Sequence, residues 1–167
     1  MADRSNHYER AFEAYLRSRR IATIAVDESR RAYHDESTLK SLDFIVPVRD
    51  GGFLLVDVKG RQLPRAQATR QNWATRDDID SLITWRSGFG TDSQALLVFV
   101  YQLGEESMVS RFTDHFLHED RAYGCVGIDA FDYRSRMRVR SPRWQTVNLT
   151  KSDFDAVARP ISEWLRG

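Results

Sequence analysis

Asp57 and Lys59 lie two positions apart near the end of an apolar run, Phe53-Leu54-Leu55-Val56-Asp57-Val58-Lys59-Gly60. Side chains along a β-strand alternate between faces, so this acid and this amine project from one surface while Val56 and Val58 enter the opposite layer. A strand this apolar is normally central, and charges in it cost desolvation energy unless metal, water or substrate satisfies them. Asp43 falls on the preceding apolar run, Leu42 to Val48, and Glu9 on a segment of helical spacing. Two carboxylates on adjacent strands and a third on a neighbouring helix can hold Mg2+ or Mn2+, hard ions that prefer oxygen and keep several waters. A lysine beside them completes a hydrolytic constellation. The ion would stabilise charge developing on a phosphodiester and acidify a bound water, while the amine orients that water or stabilises the pentacovalent transition state.

These residues depend on their elements for position. Leu42–Val48 and Phe53–Lys59 read as strands joined by Arg49-Asp50-Gly51-Gly52, a hairpin signal in which the glycines supply positive φ. A three-residue loop Asp50-Gly51-Gly52 sets position 43 opposite 59 and puts Asp43, Asp57 and Lys59 on one face; a two-residue loop puts Asp43 on the other. Pro47 cannot donate to a ladder, so that strand should be bulged or unpaired near the turn.

Residues 6–19 form an amphipathic helix with Tyr8, Ala11, Phe12, Tyr15 and Leu16 as its apolar stripe, and Glu9 at the edge of it. Asn6-x-x-Glu9 also fits a capping box, which alone would explain the glutamate. A first strand spans 21–26, and 27–41 reads as a charged loop with a possible helical turn. A polar surface loop over 60–73 leads to a helix over 75–85, capped by Thr75 with Asp78 three residues on, and then to a buried strand over 94–103. Strand, helix, strand implies a crossover with parallel strands. Further on, the expectations are a helix over 110–120, a strand over 124–129, further strands or extended arms over 134–140 and 145–149, and a terminal helix over 153–165 capped by Ser152.

The chain has 167 residues, the length of one domain, and 41% hydrophobic content; its longest apolar run, Ala95 to Tyr101, is too short to cross a bilayer. A single cysteine, Cys125, and an N-terminus without an apolar leader point to a reducing, cytoplasmic setting. Net charge is only +1, yet of 25 basic residues only Lys40, Lys59 and Lys151 are lysines, so basic surface is almost entirely arginine, the better fork for phosphate. Arg134, Arg136, Arg138 and Arg140 alternate, with Tyr133, Arg143 and Trp144 beside them and no acid from Arg134 to Trp144. On a strand they would aim one way, either as a phosphate-contacting stripe or as a solvated face paired with acids elsewhere. His115 and His118 lie three apart on the expected helix without a third zinc ligand, Cys125 suits a small buried residue, and Trp73, Trp85, Trp144 and Trp164 suit core or interface better than base stacking.

Asp43, then Asp57-Val58-Lys59 after a hairpin, preceded by a helix bearing Glu9, resembles the PD-(D/E)xK nuclease superfamily. The string His7-Tyr8-Glu9-Arg10-Ala11-Phe12-Glu13 is similar to the signature of a small bacterial family named HYExAFE after it. The resemblance implies an α/β, restriction-endonuclease-like core over about residues 6 to 103. That core is a helix, a three-strand meander, a crossover helix and a parallel fourth strand, here followed by a β-rich extension and a C-terminal helix. It further implies Asp43, Asp57 and the Val58 carbonyl as metal ligands for Mg2+ or Mn2+, Glu9 assisting through metal or water, and Lys59 serving the nucleophile. Leu42 stands where many members carry proline. The implied partner is nucleic acid, most readily DNA, with Arg61 and Arg134 to Arg143 as binding residues; a homodimer or protein partner is compatible with this size, and a non-catalytic binding or assembly module is the competing expectation.

Overall fold

The computed structural model describes residues 6–27, 32–34 and 37–166. Its elements run α1 (His7–Ser18), β1 (Ile24–Ala25), β2 (Ala32–His34), β3 (Ser37–Leu39), β4 (Phe44–Pro47), β5 (Phe53–Leu63), β6 (Ala74–Thr75), α2 (Arg76–Gly88) and β7 (Gln94–Leu103). A 3-10 turn (Glu106–Arg111) follows, then β8 (Asp114–His118), β9 (Arg121–Asp129), α3 (Ala130–Arg136), β10 (Arg138–Ser141), β11 (Thr146–Asn148), α4 (Lys151–Val157) and α5 (Ile161–Leu165). Six strands build a mixed sheet in the order β1-β4-β5-β7-β9-β8, in which only β5 and β7 run parallel; β10-β11-β6 and β2-β3 form two smaller sheets.

β5 and β7 are apolar at nearly every position because both faces are covered. On one face Leu55, Leu63, Leu97, Phe99 and Tyr101 pack with Ile79 and Leu82 of α2, Tyr133 of α3 and Phe154 of α4. On the other, Val56, Val58, Leu96 and Val98 pack with Ala11, Phe12, Tyr15 and Leu16 of α1 and Ile161 of α5. The stripe expected on the first helix is therefore the face it buries, and Asn6 caps it by accepting from the Tyr8 N–H at 3.0 Å.

β4 and β5 pair as Phe44↔Val56, Ile45↔Leu55, Val46↔Leu54 and Pro47↔Phe53. The loop is three residues long, as expected, but it is Arg49-Asp50-Gly51, closed by Val48 N–H donating to the Gly52 carbonyl at 3.2 Å, with Gly51 and Gly52 at φ +82° and +93°. Moving the turn by one residue changes every cross-strand partner by two, so the face is kept while the register, continued, sets Asp43 opposite Asp57 rather than Lys59. The ladder irregularity lies at Asp43, not at Pro47. The Asp43 N–H donates to Val56 O at 2.9 Å, and the next β5 amide, Val58 N–H, donates to the Asp43 carboxylate at 2.5 Å. β4 has no paired residue before Phe44, whereas β7 accompanies β5 from Leu54 to Leu63. Beyond Asp57, β5 is thus paired on one side only among the described strands.

Several expectations fail further along. β5 continues to Leu63, shortening the expected loop, and the described part of the 27–41 segment carries the β2–β3 ribbon; residues 28–31 and 35–36, where the rest of that expectation falls, lie outside the described residues. The expected 110–120 helix is instead the 3-10 turn and β8, because Glu119 and Asp120 take φ +48° and +60° and close a two-residue hairpin onto β9. His115 and His118 consequently point to opposite faces of a strand. The expected strand over 134–140 is broken: Asp129 caps α3, accepting from Phe131 N–H at 2.9 Å and Asp132 N–H at 3.3 Å, so Arg134 and Arg136 are helical while Arg138 and Arg140 lie on β10. The single C-terminal helix is two, separated at Pro160, and Thr150, not Ser152, caps the first by accepting from Asp153 N–H at 3.1 Å.

Candidate active site in the cleft where β4 leaves β5

An open cleft of about 430 Å3 forms where β4 leaves β5, lined by Glu9, Asp43, Asp57, Val58, Lys59 and Arg61 together with Lys40, Trp73 and Asp78. The expected cluster therefore meets in one place, although its members arrive from opposite faces of the sheet. Asp57, Lys59 and Arg61 project from β5 toward α2, and Glu9 comes from α1 on the other face, around the strand's one-sided end. Gly60 is what admits α1. A Cβ there would lie 2.1 Å from the Tyr8 ring, so only glycine lets Tyr8 lie against β5 and carry its neighbour Glu9 to the cleft. His7 Nδ1 pairs with the Tyr123 hydroxyl at 3.0 Å, tying the same turn of helix to β9, and Asn6 Nδ2 donates to Glu9 Oε1 at 2.7 Å. In place of the expected capping box, Asn6 accepts from the Tyr8 N–H and its amide donates to Glu9, which stands at the cleft.

Asp78 was visible in the sequence only as the third residue of a helical cap, and it holds the centre of the charge network. It accepts from the Thr75 N–H at 2.9 Å, as a capping box requires, and its carboxylate also stands 3.0 Å from Lys59 Nζ and in contact with Lys40. Lys59 lies 2.7 Å from Asp57 Oδ2 as well, so two buried carboxylates grip one largely buried amine. Burial alone would lower the lysine pKa, but the charges of Asp57 and Asp78 outweigh it and hold the amine above its usual range. Burial likewise works to raise Asp78, yet Lys59 and Lys40 bring it down to about 2. Asp57 goes the other way: complete burial pushes its carboxyl up, against the opposing pull of Lys59.

The metal expectation meets a mixed donor set. Among the described residues no group of three or more His, Cys, Asp or Glu side chains lies close enough to hold one ion. Asp57 and Asp43 are nevertheless two buried carboxylates on adjoining strands, Asp57 Oδ2 facing Lys59 Nζ at 2.7 Å and Asp43 accepting from the Val58 N–H at 2.5 Å. Two neighbouring buried carboxylates suit Mg2+ of the kind bound by one or two carboxylates and completed by waters and substrate phosphate, with Lys59 competing for Asp57 Oδ2; among the described residues a three-carboxylate cage does not form.

The expected arginine stripe is dispersed. Arg136 pairs with Asp153 at 3.3 Å, Arg134 lies over the Phe131 ring, and Arg143 over Trp144, which is 66% exposed and so no core residue. Arg140 instead reaches Trp73, whose ring also receives Arg61 at 3.9 Å. Cys125 is buried, and burial pushes its thiol well up, out of nucleophilic range. The chain matches no family model and no curated protein. Among the described residues no helix is long and apolar enough to cross a membrane.

Proposed function

We propose that the chain is a metal-dependent nuclease of the PD-(D/E)xK type, hydrolysing phosphodiester bonds of nucleic acid, DNA foremost. The observation that carries this is the meeting of Glu9, Asp43, Asp57 and Lys59 in one open cleft. The order of α1, the antiparallel strands β1-β4-β5, α2 and parallel β7 supports the restriction-endonuclease-like topology, and the His7 to Glu13 string supports kinship with the HYExAFE proteins.

Mg2+ or Mn2+ supplies charge neutralisation at the phosphodiester and an acidified water when bound. Asp43, Asp57 and the Val58 carbonyl are the groups that would hold it. Lys59, kept cationic and fixed by Asp78, stabilises charge on the phosphoryl oxygens or orients the attacking water, and Glu9 accepts a hydrogen bond from that water. Attack is in line: the water oxygen bonds to phosphorus as the bond to the leaving sugar oxygen breaks. Arg61, which donates to the Gly60 carbonyl at 2.7 Å, offers a fixed guanidinium to a flanking phosphate.

A second reading has its own observation. Lys59 is closed in by two carboxylates, and among the described residues no third carboxylate comes close enough to share an ion with Asp43 and Asp57, which favours a binding or assembly module that keeps the fold without turnover. Incubating the protein and its Asp57→Ala variant with single-stranded, duplex and branched DNA and RNA, under Mg2+ and Mn2+, separates the two. Cleavage abolished by EDTA and by the substitution supports the nuclease; equal cleavage in both proteins refutes it, and binding without cleavage supports the module.

A further inference from the structure

Next to the candidate active site lies a second cavity of about 470 Å3, enclosed by the 64–73 loop, the 3-10 turn, β10 and α4. The sequence assigned nucleic-acid contact to one residue of it, Arg140, and then as part of a strand face that does not form. Four cations line it, Arg70, Arg111, Arg140 and Lys151, against one carboxylate, Asp155. That carboxylate is shared: Arg70 approaches it at 2.8 Å and Lys151 at 2.5 Å. Arg111 is anchored on the Ala66 carbonyl, and Arg140 stands 5.2 Å from the centre of the Trp73 ring. Among the described residues neither has a carboxylate within ion-pairing distance. A cavity with this balance, in a chain whose acids and bases nearly cancel overall, selects an anion.

Its position narrows the anion. Trp73 lines both this cavity and the cleft of Asp57 and Lys59, and a guanidinium from each packs on its ring, Arg61 from the cleft and Arg140 from the cavity. Two contiguous recesses with a shared aromatic wall and cations on both sides suit a polyanion whose successive phosphates occupy each in turn. The volume is that of a small-ligand site, room for one nucleotide unit. A duplex presents its phosphates on a stiff outer surface, whereas a single strand can bend a nucleotide inward between a loop and a helix. We infer that the cavity binds a nucleotide of a single-stranded segment whose neighbouring phosphate lies in the cleft. The second half of that inference rests on the nuclease reading; the first does not.

The test is binding of fluorescein-labelled oligo(dT) in EDTA, read by anisotropy across a salt series, for the wild type and Arg111→Ala/Arg140→Ala; both arginines are solvent-facing or anchored only to a loop carbonyl. Lys151→Glu, at an exposed position, serves as an independent charge reversal. The double variant is expected to bind at least about tenfold more weakly at low salt and to lose about 0.7 per arginine from the slope of log K against log salt. Unchanged affinity and slope in both cavity variants overturn the inference, and so does equally tight, arginine-dependent binding of a duplex or of free thymidine monophosphate. Arginine-dependent binding in a protein that cleaves nothing would sink the nuclease reading while leaving the cavity assigned.

Discussion

Asp78→Asn isolates the charge at the centre of the network while keeping the shape of the side chain. The asparagine oxygen can still accept from the Thr75 N–H, so the cap of α2 survives and the loss is electrostatic. Asp78 is held at about 2, roughly two units below a free aspartate, which corresponds to about 2 kcal/mol of stability at neutral pH. Breaking a buried ion pair outright costs about 3–5 kcal/mol, but Lys59 retains Asp57 at 2.7 Å, so the smaller figure governs. With a urea m-value of about 2 kcal/mol/M, the midpoint at pH 7 should fall by about 1 M in the variant. The pH dependence carries the sign. A depressed carboxylate contributes its stability above its unfolded pKa and loses it as pH falls through the folded one, so the gap between the two proteins should close between about pH 4 and pH 2. Asp57 is shifted upward, so its contribution is present at low pH and lost as pH rises, and removing the Asp78 charge lowers its pKa slightly. Urea titrations in EDTA at pH 7, 4 and 2.5 measure the gap; one that stays constant over that range, or is already below about 0.5 kcal/mol at pH 7, refutes the network as described.

Gly60→Ala puts a methyl into the Tyr8 ring, so α1 must shift; a loss of about 1–3 kcal/mol in urea unfolding is expected, together with weaker protection of α1 amides in hydrogen exchange, and an unperturbed α1 would contradict the close approach. Asp114, 1% exposed, accepts from the Tyr15 hydroxyl at 3.0 Å and from the Ser162 N–H and hydroxyl at 2.9 and 3.1 Å, so Asp114→Ala strands one buried and two half-buried donors, should cost about 3 kcal/mol, and should free α5 first; Ser162 amide exchange reports it. Saturating Mg2+ should raise the melting temperature of the wild type by several degrees and not that of Asp43→Asn/Asp57→Asn, and an equal rise in both would show that the ion binds elsewhere.

The parts legible in the sequence were those whose signal is local. The α1 stripe and the Thr75–Asp78 cap each depend on a few neighbouring residues and place their helices, and the Gly51-Gly52 pair announces the hairpin although the turn falls one residue earlier than expected. Parity along β5 likewise puts Asp57 and Lys59 on one face whatever the partner strand does. What was lost depends on tertiary context. The Glu119-Asp120 turn carries no glycine, so nothing nearby announces a hairpin, and the apolar residues of 112–117 fit a helix as readily as an edge strand. The four alternating arginines mimic a strand, but Asp129 starts a helix before them and decides the matter with two backbone hydrogen bonds. Asp78 as partner of Lys59, and Trp73 as a wall between two cavities, exist only once α2 and the 64–73 loop are folded over β5.

Among the described strands β5 changes character at Asp57, from a strand paired on both sides to one paired on a single side. A half-paired strand is also a place where a foreign strand can add itself and start aggregation. Lys59 and Arg61 sit on that stretch, and a charge every second residue is the usual guard against such pairing. The same two cations therefore stand under two demands, one from a polyanion in the cleft and one from solubility. Replacing them with apolar residues to improve packing would remove both functions in one step, and loss of activity from such a change could not by itself be credited to chemistry.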